Sequence, residues 1–395
     1  MDSGLSPTNL PKICYLYPMQ LSYWEYDRYF KRNDVVIVGA GIVGLNAAIH
    51  LKKKAKKLNV LIVERGFLPY GASTRNAGFA CFGSVSEILD DIETTDEETV
   101  FNLIEKRWLG LQKLRALVGD KKLNFRQYGG YELFKSDEAK NYENCIDKIP
   151  FLNTEISKIC KKKNAFSLAN SAISDFQFKG INGLIKNKLE GQIDTGKMMD
   201  ALILKAKDLG IKIITGLDIQ SVVDDVLKVQ IQAANGIEFS AKKLIVCTNG
   251  FAKTLLPELN VEPARAQVLV TKPIKNLPIK GTFHYDCGYY YFRNIGKRIL
   301  FGGGRNLDFE GENTMEMNTT AQIQNQLQDL LKTHIIPNHP FEIERSWSGI
   351  MGIGSTKKPI VKSISKNLFC AVRMGGMGVA IGSLVGEEVA ELAME

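Results

Sequence analysis

The chain has 395 residues, of which 45% are hydrophobic and 24% are charged. This length and composition suit a protein whose packed core exceeds one average domain. No apolar run reaches the length of a membrane span, and the N-terminus lacks the basic and apolar regions of a secretory signal, so we expect a cytoplasmic protein. The net charge of +8 is densest in two lysine runs, near residues 52–57 and 161–163. No aromatic residues interleave with these runs, which favours solvated helix faces over a nucleic-acid surface.

The seven cysteines are widely spaced and form no CxxC pair, which argues against a disulfide framework or a zinc site. We therefore expect buried free thiols in a reducing compartment. The cysteines are Cys14, Cys81, Cys145, Cys160, Cys247, Cys287 and Cys370.

Residues 1–30 form an N-terminal segment, here called the prelude. Near its end, aromatic side chains alternate with charged ones, which predicts a short amphipathic helix that packs on the rest of the protein. A β-branched run then occupies residues 35–38 and enters a glycine-rich turn at 39–44. A helical pattern follows over 45–57, and a second buried strand over 60–63. This order is that of a complete βαβ unit.

The rest of the chain alternates helical and strand patterns without an internal repeat or a low-complexity linker, which favours two interleaved domains. Helices are predicted near residues 85–118, 198–209 and 316–334 and from Val379 onward. Strands are predicted at 211–214, 244–247 and throughout a β-rich segment at 268–301.

The glycine turn has the spacing and the context of a dinucleotide-binding site. Its first glycine permits a tight turn, its second lets a pyrophosphate approach the backbone, and its third lets helix and strand pack closely. Free amides at the helix start would face the phosphates. A carboxylate closes the second strand twenty positions beyond the last glycine, where it hydrogen-bonds ribose hydroxyls. A chance glycine turn beside a surface glutamate is the alternative. The residues assigned to this site are Gly39, Gly41, Ile42, Val43, Gly44 and Glu64.

A second segment of small residues, 71–79, follows the second strand. Its backbone donors could pass along a pyrophosphate and beneath a flavin ring, and an NAD enzyme has little need of them. The segment therefore favours FAD, with an ordinary glycine–serine loop as the alternative. The predicted contacts here are Arg65, Ala72, Ser73, Arg75, Asn76, Ala77, Gly78 and Phe79.

Four motifs, in this order, resemble the FAD-dependent amine and amino-acid oxidase family, often called D-amino-acid-oxidase-like. Within that family the chain is similar to the branch that contains γ-glutamylputrescine oxidoreductase, including the Ser22-Tyr23-Trp24 prelude. The resemblance covers nearly the whole chain. The motifs are residues 39–44 with Glu64-Arg65, residues 71–78, Pro263-Ala264-Arg265-Ala266-Gln267, and Met374-Gly375-Gly376-Met377-Gly378-Val379-Ala380.

The resemblance implies an α/β fold, in which a Rossmann-like FAD-binding domain is interleaved with a smaller substrate domain built on a mostly antiparallel sheet. The prelude would be residues 1–30, the FAD-binding domain 31–110, 190–262 and 340–395, and the substrate domain 111–189 and 263–339. Ile219 would line the adenine side, and Thr248, Asn249 and Gly250 would lie near the ribose and pyrophosphate. The cysteine that attaches flavin in sarcosine oxidases falls near Gly349, which favours non-covalent FAD.

The glycine loop near the C-terminus has a physical rationale of its own. A helix start near Gly378 would stabilise the negative charge of a reduced flavin through oriented N–H groups. Helix packing by small residues is the alternative. The contacts predicted in this part of the chain are Met351, Gly352, Gly375, Gly376, Met377, Gly378 and Val379.

The substrate end departs from the family pattern. Amino-acid oxidases of this family hold the substrate carboxylate with an arginine, and the resemblance places that position at Met351 in this chain. A second arginine used by some members corresponds to the loop Gly375-Gly376. Both arginines are therefore absent from the expected positions. This favours an amine, an N-substituted amine, or a carboxylate held differently. Arg293 is the best replacement anchor, and Arg305 and Arg373 are weaker candidates.

The resemblance makes Tyr290 the substrate-facing tyrosine, whereas strand alternation puts Tyr289, Tyr291 and Arg293 on one face and Tyr290 on the other. Both arrangements stay open, and the predicted catalytic residues are Tyr290, Arg293 and Met351.

We expect an enzyme that transfers a hydride from the C–N bond of a small amine or amino acid to FAD, without a triad or metal site. The electron acceptor is open between oxygen, a quinone and another protein. One alternative is a flavin-dependent 2-hydroxy-acid or glycerol-phosphate type dehydrogenase, which needs a general base such as a histidine near the flavin. His284 could reach the site, with a structural role as its alternative. A flavin-holding interaction subunit is the other alternative.

Overall fold

A computed structural model of the protein describes residues 19–395. Its strands are β1 Val35–Val38, β2 Val60–Glu64, β3 Phe79–Ala80, β4 Gly130–Lys135, β5 Phe166–Leu168, β6 Ile181–Asn187, β7 Gly191–Gln192, β8 Lys212–Thr215, β9 Ile219–Asp225, β10 Lys228–Ala233, β11 Glu238–Ala241, β12 Lys243–Val246, β13 Glu262–Thr271, β14 Thr282–Tyr285, β15 Tyr290–Ile295, β16 Arg298–Gly303, β17 Ile343–Ile353, β18 Ile360–Ser363 and β19 Leu368–Val372.

The α-helices of the described residues are α1 Tyr23–Glu25, α2 Ile42–Lys54, α3 Ala72–Arg75, α4 Val85–Thr94, α5 Glu97–Val118, α6 Asp120–Leu123, α7 Ala139–Cys160, α8 Ala172–Phe176, α9 Thr195–Asp208, α10 Ala321–Leu330 and α11 Gly378–Leu392. Short 3-10 helices span Ser136–Glu138, Asn249–Thr254 and Arg305–Leu307, and π-helical turns span Tyr26–Phe30 and Leu331–Ile335. Among these helices, none combines the length and the apolarity that a bilayer crossing requires.

The predicted βαβ unit is confirmed and lies at the centre of a six-stranded sheet with the order β18-β19-β12-β1-β2-β8. Its strands run parallel, except that the edge strand β18 is antiparallel to β19. In register, Val36 of β1 lies between Leu61 of β2 and Leu244 of β12. Strands β1 and β2 are buried along their whole length, and their Val and Ile residues suit a sheet that is covered on both faces.

Helices cover one face of this sheet, and a small antiparallel sheet covers the other. Ile37 of β1 packs with Leu45 of α2, Leu202 of α9 and Val385 of α11. Val36 and its neighbours on that face pack instead with the sheet β11-β10-β9. Apolar residues therefore pack against both faces of β1. This packing fixes the end of the strand from which the glycine turn begins.

A second sheet has eight strands in the order β17-β13-β16-β15-β14-β4-β6-β5. Its neighbouring strands are antiparallel, except that β4 and β14 run parallel. This confirms the predicted mostly antiparallel sheet. One face packs an aromatic cluster against α10, and the rings of Phe283 and Phe292 stack there with centroids 4.6 Å apart. The division into domains stays a prediction; β17 belongs to this sheet, although its residues fall in the segment assigned to the FAD-binding domain.

The prelude helix was predicted to dock on the body, and it does so through one aromatic residue. Ser22 caps α1 by accepting a hydrogen bond from Glu25 N, while the Glu25 carboxylate accepts one from Ser22 N at 2.7 Å. This reciprocal pair satisfies two amides that the helix start leaves free. Phe30 is buried against Phe239 of β11, with ring centroids 4.9 Å apart.

Two helix predictions differ from the structure. The 22-residue helix α7 was not predicted, because it buries few apolar residues and carries Pro150 in its interior. The helix expected from residue 316 begins instead at Ala321.

The expectation of buried thiols is wrong at one described position. Cys287 is exposed, whereas the other free cysteines of residues 19–395 are buried. Cys14 lies outside the described residues.

A buried ion pair ties a long loop to the second sheet. Arg265 of β13 donates from Nε to Glu312 Oε2 at 2.9 Å and from Nη2 to Oε1 at 2.6 Å. Gln267 Nε2 also donates to Glu312 Oε1 at 2.9 Å. Because Glu312 is fully buried, these donors stabilise its charge, and the loop that follows β16 is thereby fixed over β13.

Replacing Glu312 with Gln should destabilise the fold by about 3–5 kcal/mol, because Arg265 would keep a buried charge without its partner. The matched control is Glu344→Gln, which removes a half-exposed partner of Arg298 and should cost less than about 1 kcal/mol. Urea unfolding of both variants measures the two effects. Equal midpoints for the two variants would show that the buried pair does not hold this loop.

Candidate functional site

A cavity of about 670 Å³ lies where the carboxyl ends of the parallel strands meet the second sheet. It is lined by the residues that follow β1, β2 and β12, by Ala371 of β19, and by Val268 and Tyr291 of the second sheet. Ligands of open α/β sheets bind outside the carboxyl ends of the strands. The cavity therefore occupies the place where this architecture puts a nucleotide cofactor.

The glycine turn forms the floor of the cavity and packs without room for side chains. Gly39 has φ +107°, and a Cβ there would lie 2.8 Å from Cys247 O. A Cβ on Gly44 would lie 2.0 Å from Gly39 O. Gly41 is the N-cap of α2 and provides no side-chain cap. Apart from Ile42 N, which bonds to Ser73 Oγ, the first amides of α2 are consequently open to an anion in the cavity.

Glu64 both holds the turn and lines the cavity. It is 6% exposed, and its carboxylate accepts hydrogen bonds from Ala40 N at 3.0 Å and from Gly66 N at 3.1 Å. A carboxylate has further lone pairs available, so ribose hydroxyls could donate to the same group. At this end of the cavity the Arg65 guanidinium stacks on Phe251, 3.7 Å from the ring centroid.

The segment 71–79 joins the start of α2 to strand β17. Ser73 Oγ accepts a hydrogen bond from Ile42 N at 2.9 Å. Arg75 donates from Nη1 to Ser348 O at 2.8 Å, and Arg75 O accepts from Trp347 Nε1 at 3.0 Å. These bonds fix the segment as one wall of the cavity.

The glycine loop near the C-terminus forms the opposite wall. Met374 N donates to Asn249 Oδ1 at 3.1 Å. Gly375 and Gly376 have φ +55° and +81°, a region that side chains disfavour. Helix α11 begins at Gly378 without a side-chain cap. Its free amides and positive partial charge point to this loop.

Most of the predicted cofactor contacts come together around this one cavity. Those that line it are Gly39, Gly41, Ile42, Val43, Glu64, Arg65, Ala72, Ser73, Arg75, Asn76, Ala77, Gly78, Phe79, Ile219, Thr248, Asn249, Met351, Gly375, Gly376, Met377, Gly378 and Val379.

Three predicted glycines lie behind the cavity wall and permit close backbone packing. Gly44 packs on Gly39, as described above. A Cβ on Gly250 would lie 2.3 Å from Met351 O, and a Cβ on Gly352 would lie 2.8 Å from Asn249 Oδ1. Their contribution to the site is thus to bring its walls together.

Strand β15 corrects the expectation for Tyr290. Its pairing with β16 is continuous, so side chains alternate without a bulge. Tyr291 faces the cavity, whereas Tyr290 is 4% exposed and packs in the aromatic core with Phe301. The tyrosines at the cavity are Tyr289 and Tyr291.

Arg293 likewise does not line the cavity. It is buried, and its Nε donates to Ala77 O. Its Nη2 lies 2.7 Å from where a Cβ on Gly78 would be. Burial lowers the pKa of Arg293 to about 10. The side chain therefore supports the segment 71–79 from behind, which corrects its expected place as a substrate anchor.

The sequence did not predict the ionisable cluster around His284. His284 of β14 lines the cavity, with Nδ1 3.9 Å from Glu87 Oε2 and Nε2 3.7 Å from Glu190 Oε2. Burial alone would lower the pKa of His284, but the adjoining Cys81 thiol and the two carboxylates raise it well above 6.5. The cluster draws on distant parts of the sequence, and the signal that the sequence offered was the position of His284 in the β-rich segment, close to Tyr290.

The fold and the cavity define an α/β protein that binds a nucleotide cofactor. The sequence model of the DAO family, described as FAD dependent oxidoreductase, matches residues 34–392. The chain therefore belongs to the DAO family of FAD-dependent oxidoreductases.

Individual relatives are distant in sequence. The chain is 24% identical over 381 residues to gamma-glutamylputrescine oxidoreductase of Escherichia coli K12, covering 91% of this chain and 83% of that protein. It is 21% identical over 385 residues to a probable oxidoreductase, OrdL, of Haemophilus influenzae, covering 91% and 82%.

Solved structures agree in fold. Glycine oxidase from Geobacillus kaustophilus has a TM-score of 0.72 and 19% identity, over 92% of this chain and 95% of that chain. L-Proline dehydrogenase from P. horikoshii has a TM-score of 0.71 and 18% identity, over 91% and 93%. At these identities the likeness establishes the fold alone.

The residues of the cavity fit FAD. The uncapped starts of α2 and α11 offer amides from opposite walls, and Glu64 offers a ribose acceptor. Gly41 lies between Ser73 and the start of α2, where a Cβ would lie 2.8 Å from Ser73 Oγ.

Gly41→Asp should weaken the retention of FAD more than a neutral substitution of the same shape does. Aspartate is a favourable N-cap, but its charge would lie beside the pyrophosphate. The isosteric control Gly41→Asn caps the helix without the charge. We expect the Asp variant to bind FAD at least about tenfold more weakly than the Asn variant. The flavin-to-protein absorbance ratio after dialysis measures this, and equal ratios would place the phosphates elsewhere.

Proposed function

We propose that the chain transfers a hydride from the carbon next to nitrogen in a small amine or amino acid to non-covalently bound FAD. One observation carries the proposal. A single cavity joins the glycine turn, the segment 71–79 and the start of α11 to an end lined by Tyr289, Tyr291 and His284. An enzyme of this family that oxidises an amine needs a substrate pocket of this kind beside the cofactor. The relatives and structural neighbours include a gamma-glutamylputrescine oxidoreductase and a glycine oxidase.

The residues of the chain would bind, orient and shield the reactants. When bound, FAD supplies the two-electron acceptor for the hydride. The start of α11 would stabilise negative charge on that acceptor through its free amides. Phe79 packs edge-to-face on both His284 and Tyr291, with centroids 5.3 and 5.7 Å apart. This aromatic group would shield the reacting atoms from water, which would favour the neutral, reactive form of an amine.

His284 supports a second candidate function. Oxidation of a 2-hydroxy acid needs a base to take the hydroxyl proton, and His284 lines the cavity. However, the adjoining Cys81 thiol and the carboxylates of Glu190 and Glu87 raise the pKa of His284, which opposes its use as a base for a hydroxyl proton. Amine oxidation needs no such base, and it is the better-supported reaction.

The expected result for amine oxidation is bleaching of the flavin absorbance under anaerobic conditions. A panel of primary amines, secondary amines and amino acids should include compounds that reduce the purified holoprotein within minutes. Acid precipitation should release all of the flavin into solution, because the bond to the protein is not covalent. A holoprotein that no amine, amino acid or hydroxy acid bleaches, and that copurifies with a partner, would support a flavin-holding subunit instead.

The pH dependence of flavin reduction separates amine from hydroxy-acid oxidation. If His284 is the base for a hydroxy acid, reduction should speed up as pH rises through its raised pKa, where the ring becomes neutral. His284→Gln should then remove the rise and slow reduction by about 10²–10⁴-fold. The control His334→Gln changes a half-buried ring outside the cavity, whose Nδ1 lies 2.9 Å from Lys179 O. For amine oxidation we expect a loss of less than about tenfold in His284→Gln.

The electron acceptor and the compartment stay predictions. Oxygen, a quinone or another protein could reoxidise the flavin, and oxygen consumption during turnover identifies the first of these. A cytoplasmic location is likewise a prediction from the sequence.

A further inference from the structure

We infer that Arg305 binds an anionic group of the substrate, so that the substrate is an amino acid or an N-substituted amino acid rather than a simple amine. This inference rests on the proposed function and deepens it.

Arg305 reaches the cavity because of the turn that precedes it. Strand β16 ends at Gly303, and Gly304 adopts φ +77°, which reverses the chain into the 3-10 helix Arg305–Leu307. Arg305 then lines the same cavity as Gly303, Tyr289 and Tyr291. Its guanidinium carbon lies 4.9 Å from the ring centroid of Phe309. The side chain is thus held over an aromatic ring at the substrate end of the cavity.

The donors of Arg305 are unused within the described residues. Its Nε is buried and has no hydrogen-bond partner there. No carboxylate oxygen of residues 19–395 lies within 4.0 Å of the guanidinium. A buried guanidinium donor without a partner is costly, whereas its fork geometry matches a carboxylate with two parallel hydrogen bonds. An anionic ligand would satisfy it.

The acidic groups near Arg305 are already engaged. Glu312 is held by Arg265 and Gln267, as described above. Asp286, which also lines the cavity, accepts a hydrogen bond from Asn306 Nδ2 at 3.1 Å. Neither carboxylate therefore neutralises Arg305 through a direct contact.

The other cations of the cavity have partners or lie elsewhere. Lys357 forms an ion pair with Asp91, with Nζ 2.5 Å from Oδ1. Arg75 donates to Ser348 O, and Arg65 stacks on Phe251 at the end where the adenine would lie. His284 stands between two carboxylates. Among the described residues, this leaves Arg305 as the cation of the substrate end that can accept an anion.

The test compares an anion with its neutral isostere on the FAD-loaded protein. Benzoate and benzamide are titrated while the shift of the flavin absorption band is recorded, which reports binding without turnover. In the wild type, benzoate should bind at least about tenfold more tightly than benzamide. Arg305→Met should weaken benzoate binding by at least about tenfold and change benzamide binding by less than about twofold. Arg305→Lys should restore part of the benzoate affinity, because it keeps the charge without the fork.

Lys357→Met is the charge-matched control, because it also removes one cation from the cavity wall. Its benzoate affinity should stay within about twofold of the wild type, since Asp91 neutralises Lys357. The inference is overturned if Arg305→Met binds benzoate as the wild type does, if Lys357→Met loses as much affinity, or if the wild type shows no preference for benzoate.

A second comparison keeps this inference distinct from the proposed function. Anaerobic bleaching is measured with glycine and proline and with their primary amides, in the wild type and in Arg305→Met. Arg305→Met should lose activity selectively with the acids. If acids and amides bleach both proteins equally, Arg305 is not the anchor, yet amine oxidation stands. If nothing bleaches the flavin while benzoate binding still depends on Arg305, the proposed function fails and the anion site stands.

Discussion

The close approach of backbone segments at the glycine turn is the constraint on which the site depends. A Cβ on Gly44 would come within 2.0 Å of Gly39 O, and a Cβ on Gly39 within 2.8 Å of Cys247 O. Only residues without side chains let α2 start directly above the ends of β1 and β12. This closeness lets Ile42 N, the first amide of α2, donate to Ser73 Oγ, and it leaves the amides that follow Ile42 for the cavity. The segment 71–79 is positioned in turn by that bond.

The second sheet completes the cavity by supplying a wall of alternating side chains. Because β15 has no bulge, Tyr291 faces the cavity while Tyr290 enters the aromatic core. Arg293, on the same face as Tyr291, reaches the back of the segment 71–79 and donates to Ala77 O. The wall that would contact the substrate and the wall that would contact the cofactor are thus joined by one buried arginine.

Charges near the cavity fall into two groups with different consequences. Those of Arg265, His284 and Lys357 have carboxylates beside them, and they hold loops and strands in place. Arg305 has none within the described residues, although its Nε is buried. In a low-dielectric site an unpaired cation favours binding of an anion. The anionic group of a substrate would thus be held from the wall of the cavity that carries Arg305.

The sequence by itself determined the βαβ unit, the dinucleotide turn, the cofactor and the family. The βαβ unit and the dinucleotide turn follow from local patterns: a buried β-branched run, glycines at fixed spacing, and a carboxylate at the end of the next strand. The cofactor and the family follow from the resemblance that four motifs carry. Strand alternation in the sequence also divided residues 289–293 between two faces, one with Tyr291 and the other with Tyr290. Only the tertiary structure decided which face meets the cavity, because that depends on which side of β15 the aromatic core covers. The cluster of Cys81, Glu87, Glu190 and His284 was decided in the same way. Its members come from three stretches of the chain, residues 81–87, Glu190 and His284, and no local pattern records that the fold brings these stretches together.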